Sequence, residues 1–512
     1  MLVYLTVFVI ILFILTLKVK NRKYEQLKNT YRHELPSFPL VGIIYSAIGS
    51  SEKTMQFIKM MGREANRKGG LICDWIGPSL YLMVSDAEVA ALFLKTSLEK
   101  DDLFRKVATF LIGDGIFSAR VPEWRTRRKI LNPTFNTKNL NKFVHIFSKQ
   151  SQIMVQQLRC KANAQPFSVW RYIAANNMYS VCETVMGVQL EAQERSEHPF
   201  LTAFAEAFHL SAVRMFRPWL YSEFVYKLFP TYKIHKNAKR AMYEFISGVI
   251  QSKRIQIQEE INKTTHAGEQ PMKTFLEMLI ESSQEEGGYT NEELSDETMA
   301  LMLASTDTSA NAAAFTLIML SRHPEIQQKV FDELMEVFGD AKGPVVPEDL
   351  PRLKYLDIVL KETLRLFPPA TLIMRKVTED VTLLFLASGV TVPTGCGVMI
   401  NIWGVHRNPT YWGEDAEEFR PERFLDTPFK HPTQYMPFSV GPRNCPGHQY
   451  AMMSMKTFLA MTLREYRVLP PTPPDEFNRY PPLRLTFELL MKDADGFKIC
   501  LEPVKRIQDE WN

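Results

Sequence analysis

The chain opens on an unbroken apolar run. Residues 1–17, MLVYLTVFVIILFILTL, carry no charged side chain, and Lys18, Lys20, Arg22 and Lys23 follow. As a helix this run is roughly 26 Å long at about 1.5 Å per residue. That is just short of a hydrocarbon core of about 30 Å, and the stems of Lys18 and Lys20 can snorkel across the difference. A cleaved signal peptide carries its basic residues first and a small-residue cleavage site after, the reverse of this order. The pattern predicts an anchor helix over residues 1–20, with the basic flank keeping the rest of the chain on the cytosolic side. A polar, helix-like linker runs on to about His33. The prolines of LPSFPLVG, Leu35 to Gly42, then read as a stiff hinge, so residues 21–42 form the linker and 43–512 the folded body.

The body alternates with a helical period over most of its length. SKQSQIMVQQL and AKRAMYEFISGVIQSKRIQIQEEI have apolar stripes with polar faces. The longest apolar-rich segment starts at TNEEL, where Thr290 and Glu293 have the spacing of a capping box, and stops before Pro324. A further helix starts on that proline and ends at Gly339. Strand-like pieces are few: YLMV near Tyr81, VTLL near Val381 and FKICLEP near Phe497. The polar stretch Ile261–Thr274 reads as a surface loop. The fold class predicted is mainly α with small peripheral β-sheets, preceded by one membrane helix.

Composition narrows the function. The 512 residues are 46% hydrophobic and 23% charged with a net charge of +4, which is globular and too mildly basic to argue for nucleic acid. Six cysteines, Cys73, Cys160, Cys182, Cys396, Cys445 and Cys500, are too sparse for a disulfide framework and suit a reducing compartment. The one glycosylation sequon, Asn262-Lys263-Thr264, is therefore expected to stay unmodified; endoglycosidase treatment of the expressed protein should leave its electrophoretic mobility unchanged.

Five of the six cysteines read as small buried hydrophobes. Cys445 differs. In PFSVGPRNCPGHQYA it sits between Gly441 and Gly447, and Pro446 suits the first position of a helix whose N-terminus would favour a thiolate. An acyl-transfer nucleophile would want an oxyanion glycine motif, a zinc site a second Cys/His pair, and an iron–sulfur cluster about four cysteines; none is seen. Haem iron needs one protein sulfur. The order Phe438-x-x-Gly441-x-Arg443-x-Cys445-x-Gly447 resembles the haem-binding loop of the cytochrome P450 family at each fixed position. The resemblance implies the family's fold and noncovalent haem b, with Cys445 as axial ligand, Phe438 beside the sulfur, Gly447 against the ring and Arg443 on a propionate.

Other stretches extend the likeness. ASTDTSA, Ala304 to Ala310, resembles the family's acid–alcohol pattern, with Asp307 and Thr308 delivering protons; Ser305 stands where glycine is usual. Taken alone, its hydroxyls would more readily bond back to the preceding turn, with the acid satisfied in the core. KETLRLF and FRPERF place Glu362, Arg365 and Arg423 as the family's structural cluster. EWRTRRK resembles the helix beside the haem, with Trp124 and Arg128 reaching a propionate and Arg125, Arg127 and Lys129 outward as a docking patch. Arg375 falls where another propionate partner is common.

Wording such as GDGIF and ILNPTF looks most like the animal group that contains fatty-acid omega-hydroxylases. Alanine at 304 departs from the glutamate that esterifies haem in many of them, which weakens any inference of terminal fatty-acid hydroxylation. The resemblance implies a monooxygenase acting on a lipophilic lipid, terpenoid or xenobiotic in the endoplasmic reticulum membrane. Its electrons would come from an NADPH-dependent flavoprotein reductase, with cytochrome b5 as a second donor, because IGDGIF lacks the context of a dinucleotide fingerprint. A haem-thiolate isomerase and a non-enzymatic haem carrier are competing readings; the retained acid–threonine pair speaks against the first.

Overall fold

The segment that begins at the predicted capping box is the axis of the molecule. In the computed structural model it forms a 32-residue helix, Asn291–Arg322, and Thr290 and Glu293 exchange both capping hydrogen bonds. The structure describes residues 4, 22–38, 42–77, 79–189, 199–215, 217–263, 273–283, 288–340, 343–383, 389–426, 428–476 and 479–504. The anchor expected over residues 1–20 lies outside them apart from Tyr4. Among the described residues no helix is long and apolar enough to cross a membrane.

Eleven helices carry the argument, in chain order: α1 (Ser51–Arg67), α2 (Asp102–Ile112), α3 (Val121–Leu131), α4 (Thr137–Leu158), α5 (Trp170–Val181), α6 (Pro199–Met215), α7 (Pro230–Lys263), α8 (Asn291–Arg322), α9 (Pro324–Phe338), α10 (Lys354–Leu366) and α11 (His448–Leu463). Helix α8 is buried along most of its length and packs on α5, α7, α10 and α11. The α8 and α9 boundaries match the sequence pattern, with Pro324 opening α9 and Gly339 closing it. Helix α4 starts eleven residues before the stretch that announced it, because Asn136 caps it through Asn139 N–H. Helix α7 runs on through Lys263, so the predicted loop loses its first residues; 264–272 lie outside the described residues.

The strands stay peripheral. A four-stranded sheet has the order β1 (Leu71–Ile76), β2 (Ser79–Val84), β4 (Gly397–Asn401), β3 (Leu372–Lys376), with β2 and β4 parallel and the other pairs antiparallel. A hairpin joins β5 (Leu485–Glu488) to β6 (Leu490–Asp493). The hinge meets β1 at Gly42, whose φ is 73° and where a Cβ would stand 1.8 Å from the Trp75 carbonyl oxygen, so only glycine fits.

A buried charge cluster ties α10 to the C-terminal half. Glu362 and Arg365 are wholly buried and form a forked pair at 2.7 and 2.8 Å; Arg423 adds a bond to Glu362 at 2.9 Å. The remaining guanidinium protons of Arg365 reach the carbonyls of His406, Ala416 and Glu418. Every side of the carboxylate is thus satisfied, which is the condition for a buried ion pair to hold. Glu362→Ala leaves Arg365 buried without its carboxylate and Arg423 with Asp415 alone, and is expected to cost about 3–5 kcal/mol. Thermal unfolding of the purified protein, or loss of folded yield, checks this.

Candidate haem-thiolate site

The cysteine loop is built before it meets any ligand. Gly441 has φ 79°, and a Cβ there would lie 2.8 Å from the Leu94 carbonyl oxygen, so the turn requires glycine. Cys445 N–H donates to the Phe438 carbonyl at 2.9 Å, and Asn444 N–H to the Gly441 carbonyl at 3.1 Å. The Phe438 ring stacks on His448 with centroids 4.2 Å apart. Gly447 is the N-cap of α11, with φ −87°, so the helix starts at His448 and Pro446 lies before the cap rather than at the first helical position. A Cβ at Gly447 would lie 3.7 Å from the Phe135 ring and 3.9 Å from Cys445 Sγ, in ordinary contact with both.

The Cys445 sulfur is open to solvent-sized space while the surrounding protein crowds it. Burial pushes the thiol up; the Gly447 N–H and the Arg128 charge oppose it without winning. A coordinated cation deprotonates a thiol outright.

Arg443, two residues before Cys445, meets Arg375 and Lys100 in a group of mutually repelling cations. Arg443 is 8% exposed, donates one bond, to the Ala119 carbonyl at 2.7 Å, and lies 4.7 Å over the Trp124 ring. Its Nε and Nη1 are buried with no acceptor. Arg375, 2% exposed on β3, bonds only to the carbonyl of Met374, leaving Nε without a partner. Burial lowers Arg375 to about 9 and Arg443 to about 10, and each shift has a further source: the Arg443 charge lowers Arg375, whereas Glu99 raises Arg443. Lys100 joins them: burial pushes its ammonium down, with Arg375 and Arg443 adding repulsion, and it lies over the rings of Phe104 and Phe117. Sequence reading missed Lys100; only the bridge that pairs it with Arg375 brings it here.

Buried donors without acceptors are costly, and three such nitrogens beside one sulfur suit a ligand carrying carboxylates and a thiophilic metal. Haem b has both features, so the residues present fit it. Two expectations change. Arg128 forks onto Asn444, at 2.9 Å to the carbonyl and 2.8 Å to the side chain, so it fastens α3 to the cysteine loop instead of standing free for a propionate. Arg127 is not outward: it is buried, binds the Asp114 carbonyl and pairs with Glu293 at 3.1 Å, which leaves Arg125 and Lys129 exposed on that face.

On α8, Ala304 is exposed in mid-helix and Leu303, Ser305, Asp307 and Thr308 are half-buried. The hydroxyls of Ser305, Thr306 and Thr308 all donate to the carbonyl four residues back. Asp307 pairs with Lys492 at 3.1 Å. The acid and the alcohol do not bond to each other here, which is the bland arrangement the residue types alone suggest.

A lone sulfur on a pinned loop, with under-satisfied buried guanidiniums at Arg443 and Arg375 and a long helix carrying an acid and an alcohol, suits a haem-thiolate protein. The chain belongs to the cytochrome P450 family: the family model "Cytochrome P450" matches residues 34–497. It is similar to cytochrome P450 4V2 of Mus musculus, 34% identical over 96% of this chain and 92% of that protein. Cytochrome P450 4d2 of Drosophila melanogaster is 32% identical over 88% and 89%, and cytochrome P450 4V2 of Homo sapiens 31% over 96% and 92%. As a member of this family it is a monooxygenase with haem b on a cysteine thiolate, taking electrons from a redox partner and binding a lipophilic substrate.

The cradle predicts a specific loss. Arg443→Met is expected to raise the haem dissociation rate by at least about tenfold, the effect of one charge-assisted bond lost. Transfer of haem to apomyoglobin, followed by absorbance, measures it.

Proposed function

We propose that Cys445 is the axial ligand of a noncovalently held haem b. Trp124, Arg375 and Arg443 hold its propionate side, Phe438 and Gly447 its sulfur side, and Arg128 braces the loop from α3. Bound haem supplies the reductive activation of dioxygen. The chain inserts one oxygen atom into a C–H bond of a lipophilic substrate; the other leaves as water with two protons, and NADPH supplies the two electrons. The observation that carries this reading is the single sulfur on the Phe438–Gly447 loop beside the unmatched guanidiniums of Arg375 and Arg443.

Asp307 and Thr308 deliver the protons. Ile112, Ile116, Phe117, Leu303 and Leu372–Met374 give the wall segments Ile112–Phe117, Leu303–Thr308 and Thr371–Met374 apolar side chains, which supports a lipid, terpenoid or xenobiotic substrate. The same reading places residues 1–20 as an anchor in the endoplasmic reticulum membrane and residues 43–512 as the catalytic domain on the cytosolic side. Exposed Trp219, Phe224, Leu228 and Phe229, between α6 and α7, support contact with a lipid surface. An NADPH-dependent flavoprotein reductase, with cytochrome b5 as a second donor, would meet the exposed Arg125 and Lys129.

A carbon monoxide difference spectrum of reduced membranes tests the ligand. Wild type is expected to give the band of thiolate-bound haem and Cys445→Ala to lose it. A thiolate band that survives Cys445→Ala removes the assignment.

A further inference from the structure

The partner of Asp307 comes from an unexpected element. Lys492 lies on β6, the second strand of the hairpin β5–β6, far from α8 in sequence. Its ammonium sits 3.1 Å from Asp307 Oδ2, 5.0 Å over the Trp170 ring at the start of α5 and 5.7 Å over the Phe208 ring of α6. The hairpin itself is fastened to a pocket wall, since Met491 N–H donates to the Pro369 carbonyl at 2.9 Å, two residues before Thr371. One cation therefore joins α8, α5, α6 and the hairpin.

Two features of the pair matter chemically. Lys492 is 21% exposed at its side chain and Asp307 16%, so the pair spans from the mid-helix segment toward water. Thr308 lies about 100° further round α8, so the acid reaches its hydroxyl only by leaving or stretching the bond to Lys492. A relay that hands over protons repeatedly must reload from bulk water between turnovers. Among the described residues Lys492 is the one side chain bonded to Asp307 through which it can do so.

Building on the proton-delivery role assigned above to Asp307 and Thr308, we propose that Lys492 is a positioning residue for that relay. It fixes where Asp307 rests between proton transfers and supplies the inlet through which the acid regains its proton from solvent. Because Phe208 on α6 and Pro369 behind the hairpin set where the ammonium lies, a substrate that shifts either element alters the inlet. Proton supply is thereby coupled to occupancy of the pocket. Lys492 touches no reacting atom and acts through Asp307.

The test uses the full-length holoenzyme in membranes with excess reductase, and lauric acid as the probe. NADPH consumption is followed in H2O and D2O. Lys492→Met is expected to slow turnover about 10-fold, less than the loss of a complete acid–base group. It should also raise the solvent isotope effect. Lys492→Arg should restore both, and Lys492→Gln should reproduce the Met variant, which separates the charge from folding. Asp307→Asn should give the same signature, and Lys492→Met added to Asp307→Asn should give no further change. If Asp307→Asn raises the isotope effect but Lys492→Met and Lys492→Gln leave it at the wild-type value, the role of Lys492 is refuted while the relay stands. If neither Asp307→Asn nor Thr308→Ala alters rate, isotope effect or hydrogen peroxide release, the relay itself fails.

Discussion

The position of the sulfur depends on a carboxylate more than eighty residues away in the chain. Glu362 holds Arg365 and Arg423, and Arg365 in turn holds the carbonyl of His406. Burial pushes the His406 imidazole down to about 3, so it stays neutral. Its Nδ1 faces the Arg365 carbonyl at 3.1 Å, and its Nε2 accepts the Met436 N–H at 2.9 Å. Met436 stands two residues before Phe438, whose carbonyl accepts from Cys445. A charged histidine could not accept that bond, so the neutral ring is part of the construction. The cluster thus fixes the place of the loop through hydrogen bonds that run from Glu362 to Met436 and the short backbone link from Met436 to Phe438.

Rigidity on this side contrasts with imbalance on the other. Some buried charges elsewhere are paired, as Arg407 is with Glu417 at 2.8 Å and Arg127 with Glu293, while Arg214 lies over the rings of Phe110 and Tyr226. Arg375, Arg443 and Lys100 face one another without that compensation. Proteins tolerate such an arrangement where a ligand completes it, which is why perturbed cations mark sites more often than structure.

What the sequence disclosed was local. The loop around Cys445, the box at Thr290 and Glu293 and the proline that opens α9 each work within a few residues, so their chemistry shows in spacing. Glu362 and Arg365 show for the same reason, being three apart on one helix. Arg127 and Arg128 mark the boundary of that method. They are neighbours in a basic stretch, yet one is buried against α8 and the other grips Asn444, and both partners are tertiary. Lys100 and Lys492 were illegible because nothing near them in sequence sets them apart. Pro446 misled because the cap fell on Gly447, whose ψ of 15° places it outside the helix.

The unmatched cations near Cys445 also bear on the life of the polypeptide. With alanine at 304, no ester tethers the porphyrin, so it binds by reversible association. A ligand that binds the native fold alone stabilises it in proportion to the logarithm of its free concentration. The abundance of this enzyme in a cell should therefore follow iron and porphyrin supply, with chains made during scarcity passing to the proteolytic machinery sooner.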